Sequence, residues 1–117
     1  MNKVLKYPLE GLANAALREI EMPQGACILA VQVEVGQEVT YVNIGHGFGP
    51  AKAYSSRVTE TVCLWAMTDT DEGRKVRRMF RVYGTGREIK EPLEDLDYIG
   101  TVQTGPFVWH VFERKGK

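Results

Sequence analysis

From Cys27 to Val35 every odd position is apolar (Cys27, Leu29, Val31, Val33, Val35), while Gln32 and Glu34 fall on the opposite face. A period of two predicts a half-buried strand, entered through the turn-like Met22-Pro23-Gln24-Gly25 and left at Gly36-Gln37. Thr61 to Met67 is apolar on both faces, the pattern of a central strand covered on each side. Val76 to Tyr83 sets Phe80 and Val82 on one face and Met79 and Tyr83 on the other. Tyr98–Gln103 leads through Thr104-Gly105 into Pro106–Phe112, which predicts a β-hairpin. Shorter strands are expected at Val4–Leu9 and Arg18–Met22. Leu9–Arg18 is rich in helix formers and predicts a short helix of two or three turns. Tyr41–Ser56 is read as a long loop centred on Gly45-His46-Gly47-Phe48-Gly49-Pro50, with a ragged hairpin over Val39–Ile44.

The expected fold class is therefore mainly β: a small antiparallel barrel or curled sheet of about six to eight strands, with at most one or two short helices. A chain of 117 residues fits a single domain, 1–117. Two-faced apolar strands and the aromatic run Phe107–Phe112 leave surface in need of cover, so a homo-oligomer is one expected state.

Composition narrows the partners. Lys+Arg and Asp+Glu both number 15, a balance that argues against a whole-protein footprint for duplex DNA but leaves room for a local basic patch. With 44% hydrophobic residues the chain is not of the disordered class. No apolar stretch approaches the ~20 residues of a membrane span, and Met1–Pro8 lacks the features of a signal peptide. A cytoplasmic location without a membrane partner is expected. Cys27 and Cys63 lie inside apolar runs and read as buried small hydrophobes rather than as a disulfide.

Charge is unevenly placed. Arg74, Lys75, Arg77, Arg78, Arg81, Arg87 and Lys90 are opposed only by Glu88, and an acidic run (Glu91, Glu94, Asp95, Asp97) follows. Arginine forks match phosphate geometry, and a tyrosine offers a face on which a base can stack. Arg77, Arg78, Arg81 and Arg87, with Tyr83, are thus candidates for a nucleotide or phosphate ligand; the alternative is a solvated edge strand whose charges block unwanted pairing. Tyr83-Gly84-Thr85-Gly86-Arg87 adds a turn whose backbone N–H groups could cradle an anion, or which simply needs a positive φ. It is neither a dinucleotide fingerprint nor a P-loop.

His46, between two glycines, is the freest proton carrier in the sequence, whereas His110 between Trp109 and Val111 reads as a hydrogen-bonded structural histidine. Ser55, Ser56 and Thr59 have no local activating base. Asp69-Thr70-Asp71-Glu72-Gly73 lacks the ligand spacing of a calcium loop and reads as a turn. No metal and no cofactor are expected.

Lys6-Tyr7-Pro8-Leu9-Glu10, Met22-Pro23-Gln24-Gly25-Ala26 with Ile28-Leu29, Leu64-Trp65-Ala66, Tyr83-Gly84-Thr85-Gly86, Ile99-Gly100-Thr101 and Phe107-Val108-Trp109-His110-Val111-Phe112-Glu113 follow one another in one order. That succession resembles a family of small domains of unknown function common in phage and prophage genomes. Against it, residues 37–60 read as an inserted loop or hairpin, which would carry any member-specific activity. The resemblance implies a phage provenance and no catalytic assignment; with no catalytic constellation in the sequence, the expected function is that of a phage-encoded accessory binding protein in the host cytoplasm, directed at a host or anti-phage defence component. It would sequester a small nucleotide-like signal, or block a host or defence protein through Tyr41, His46, Phe48 and Tyr54 as aromatic-rich anchors. The alternatives are a small phosphate-ester hydrolase using His46 or His110, and a minor structural protein of the virion.

Overall fold

A computed structural model describes residues 1–43 and 52–115, with side chains placed at 1–39 and 56–115. Among the described residues there are seven strands: β1 (Asn2–Leu9), β2 (Ala16–Pro23), β3 (Cys27–Asn43), β4 (Lys52–Asp69), β5 (Lys75–Gly84), β6 (Leu96–Thr104) and β7 (Phe107–Arg114). One 3-10 turn, Leu93–Asp95, precedes β6. All pairings are antiparallel, in a three-stranded sheet ordered β1-β4-β3 and a four-stranded sheet ordered β2-β5-β7-β6. The fold is mainly β, as expected, and its two sheets are curled rather than closed into a barrel.

The sheets pack face to face, with β6 lying against β3 and β4. Leu9, Val31, Val62 and Leu64 from the first sheet meet Met22, Phe80, Val82, Val102 and Val111 from the second. β4 is the centre of its sheet, and Val62, Cys63 and Leu64 are all buried. Cys63 points to the outer face, yet it is 1% exposed because a Lys6–Glu34 ion pair at 2.6 Å runs from β1 to β3 beside it. Burial pushes the Cys63 thiol pKa up, and the Glu34 carboxylate adds to the effect.

Three expectations are overturned. The Tyr41–Ser56 stretch, read as a long loop with a ragged hairpin over Val39–Ile44, is strand at both of its described ends, because β3 runs on to Asn43 and pairs there with β4, which starts at Lys52. Leu9–Arg18 is not a helix: Leu9 closes β1, residues 10–15 turn, and Ala16 opens β2. Strand pairing of Leu9 with Val62 and of Ala16 with Val82 outweighs the intrinsic preference of the Ala/Leu run. The turn is held by Arg18, whose Nε donates to the Glu10 carbonyl at 2.7 Å and whose Nη2 donates to that of Gly11. Gly11 and Ala15 there take positive φ, and a helix cannot continue through such residues.

Cys27, expected to be buried, is exposed. A bulge between Ile28 and Ala30 inserts Leu29 as an extra residue, 52% exposed, and reverses the alternation. Ile28 therefore faces the core together with Val31 and Val33, and the outer positions fall to Cys27 and Leu29. Both cysteines are free thiols.

Candidate functional site

At one end of the sandwich three turns surround an open groove of about 690 Å³. Leu12, Ala13 and Asn14 come from the β1–β2 turn; Gly84, Thr85 and Arg87 from the end of β5; Thr104 and Pro106 from the β6–β7 turn; and Phe107, Val108 and Trp109 from β7. Phe107 and Trp109 are two residues apart and so share a face of their strand. Their ring centroids lie 5.8 Å apart at an interplanar angle of 31°, forming an aromatic shelf. The indole is fixed by a 2.8 Å hydrogen bond from Nε1 to Thr104 Oγ1.

Gly84 is the junction of this groove. Its N–H donates to Asn14 Oδ1 at 3.0 Å, tying the β1–β2 turn to β5. A Cβ at position 84 would meet Arg87 Cγ at 3.5 Å and Trp109 Cζ3 at 3.8 Å, ordinary van der Waals distances, which places the cation stem and the indole side by side over this backbone. The turn that follows needs Gly86, at φ +80°.

The anion cradle expected of this turn is already occupied by the protein itself. Gly84 N–H goes to Asn14, Thr85 N–H to the Val108 carbonyl at 3.3 Å, and Arg87 N–H to the Gly84 carbonyl at 3.2 Å. What remains for an anion is the Gly86 N–H and the Arg87 side chain, which makes no ion pair with any described residue.

The other predicted ligand residues lie elsewhere. Arg78 forks onto Glu113 at 2.5 and 2.7 Å and also donates to the Ala26 carbonyl; the Glu113 hydrogen bond raises its pKa further. Arg81 pairs with Glu91 and donates to the Ala15 carbonyl at 2.8 Å. Arg77 is exposed and pairs with Glu19 at 3.2 Å. Tyr83, expected to present a stacking face, is 4% exposed: residues after β5 fold back over it, and its hydroxyl donates to Glu91 at 2.9 Å. Thus Gly84, Thr85 and Arg87 reach the groove, Gly86 shapes its turn, and Arg77, Arg78, Arg81 and Tyr83 do not line it.

His110 lies on the opposite face of β7 from Trp109. Its Nε2 is 2.7 Å from Thr85 Oγ1 and its Nδ1 is 2.9 Å from Thr101 Oγ1, which in turn meets Tyr98 Oη at 2.5 Å. Both ring nitrogens are thus held by hydroxyls. His46 and Phe48 lie outside the described residues; Tyr41 and Tyr54, whose side chains are likewise not described, stand opposite each other in the β3–β4 register. Among the described residues no three His, Cys, Asp or Glu side chains are grouped to hold a metal, and no helix is long and apolar enough to cross a membrane.

Trp109 and Phe107, whose strand pattern reads as core, and Leu12, which falls in the run expected to be helical, line the groove although none is a site candidate from the sequence. The signal that could have found Phe107 and Trp109 is the two-residue β6–β7 turn, which carries β7 past the end of β5, opposite Trp109, as far as Phe107. Fold and groove together define a small two-sheet β domain with an aromatic-lined recess at one end. The chain belongs to the family described as Domain of unknown function (DUF7352), whose model matches residues 1–117, the 37–60 segment included. No match is found among curated proteins or among solved structures.

Proposed function

We propose that this protein is a binding module that takes a small, planar, anion-bearing ligand of nucleotide type in the groove between Asn14, Arg87 and Trp109. The observation that carries the reading is the placement of an arginine without an ionic partner among the described residues beside the Phe107–Trp109 shelf. A flat ring can lie on the indole while the guanidinium forks onto a phosphate, and Asn14 and Thr104 stand near the ring edge. A groove of this size accommodates a mononucleotide. Such a module needs no general base or nucleophile. The resemblance of its motifs to phage and prophage domains supports placing it among phage-encoded accessory proteins that sequester a signal of the host or its defences, acting in the host cytoplasm.

The test is tryptophan fluorescence titration with AMP, GMP and a cyclic dinucleotide, alongside native mass spectrometry of protein purified gently from expressing cells. Saturable quenching is expected with at least one probe. Arg87→Glu should weaken it tenfold or more, and Arg77→Glu should leave it within twofold. Absence of quenching with every probe, or an unchanged affinity in Arg87→Glu, overturns the reading.

A further inference from the structure

β3 and β4 do not stop where their sheet stops. β1 ends with Leu9 opposite Val62, yet the β3–β4 ladder runs on from Val35↔Glu60 to Asn43↔Lys52. This leaves a two-stranded ribbon about 30 Å long. Glu60 stands at its base, accepting from the Gly105 N–H at 3.1 Å. Beyond it, among the described residues, no hydrogen bond or ion pair joins the ribbon to the second sheet. The chain's radius of gyration is 19.2 Å and its longest extent 67 Å, against a radius of about 13 Å for a compact domain of this length.

The ribbon is two-faced. Glu38 and Arg57 pair at 2.7 Å on one side. On the other side the register continues the core face of Val33 and Val62 through Val35, Val58 and Val39, which are 67%, 69% and 41% exposed. An isolated two-stranded ribbon is marginal in water, and a valine stripe continuous with a core predicts a cover. The exposed area is consistent in size with such a cover. The chain exposes 8122 Å², whereas a compact monomer of its mass exposes about 6,400 Å². The excess of roughly 1,700 Å² per chain, spread over both faces of the projecting ribbon, is of the order that an obligate dimer buries on each partner. Charge also permits self-association: Val35, Gln37, Val39, Ser56 and Val58 carry none, and the only charged position on this described stretch of face is Glu60 at the base.

We infer that the ribbon is a dimerisation arm, and that a second copy of this chain covers the Val35–Val58–Val39 stripe with its own. The contact is isologous, one stripe on the other about a two-fold axis.

Light scattering on the full chain at micromolar concentration, coupled to size exclusion, tests this. The wild type should run at twice the 13.2 kDa chain mass, and the Val35→Glu/Val58→Glu double variant at the chain mass with unchanged circular dichroism. Leu29→Glu, an exposed change off the arm, should remain dimeric. Should the double variant fail to fold, Val35→Thr/Val58→Thr keeps β-branched residues in place and is expected to raise the dimer dissociation constant at least tenfold. A monomeric wild type assigns the stripe to some other partner and overturns the inference. A dimer that persists unchanged in the valine variants overturns it too.

Discussion

Gly100 of β6 faces Val31 of β3 so closely that a Cβ at position 100 would lie 2.6 Å from Val31 Cγ1. This is the seam along which the two sheets approach, and it sets their spacing at the β6 bulge between Tyr98 and Gly100. Valine is stiff at χ1 and cannot swing aside. Gly100→Ala should therefore cost about 1–3 kcal/mol through overpacking. Urea denaturation would show a lower midpoint, and adding Val31→Ala should recover part of the loss. Additive costs in the double variant would mean that the seam relaxes elsewhere.

Arg78 and Glu113 form a two-pronged ion pair whose side chains are only 20% and 16% exposed. Removing one partner leaves a desolvated charge behind. Glu113→Ala should destabilise the fold by about 2–3 kcal/mol, whereas Arg77→Ala, at an exposed pair, should change it by no more than about 0.5 kcal/mol. A double-mutant cycle in urea would give the coupling directly. Equal effects of Glu113→Ala and Arg77→Ala would show that the Arg78–Glu113 pair adds nothing beyond a surface contact.

Tyr83 makes the second sheet sensitive to alkaline pH. Burial first, then its hydrogen bond to Glu91, pushes its pKa above the usual tyrosine value. A pKa raised in the folded state means that the unfolded chain loses this proton first. The contribution is fully present below the ordinary value of about 10 and is lost as pH rises through the folded pKa. Tyr83→Phe should lose about 1 kcal/mol at neutral pH with the hydrogen bond. It should also show a shallower fall of stability on the alkaline side, read from denaturant melts at stepped pH. Parallel alkaline slopes in both proteins would exclude Tyr83 as the source.

Strand positions were legible in the chain because alternation is local chemistry. Phe80 and Val82, the two-sided Thr61–Met67 segment and the β6–β7 hairpin all follow from side-chain period and turn residues. Length and composition likewise determined a single domain large enough to carry its own core. Other features depend on residues far apart in sequence. The helix-like Leu9–Arg18 became a turn because Leu9 and Ala16 found partners in β4 and β5. Cys27 moved outward because Leu29 bulges against β4. The arginines of β5 were divided by their neighbours: Glu113 and Glu91 neutralise Arg78 and Arg81, while Arg87 emerges beside Trp109 with no ionic partner among the described residues. Local sequence determines which face a side chain takes. Which carboxylate waits opposite it, and where one sheet ends before its neighbour, is set by long-range pairing and packing, whose energies no short window of sequence contains.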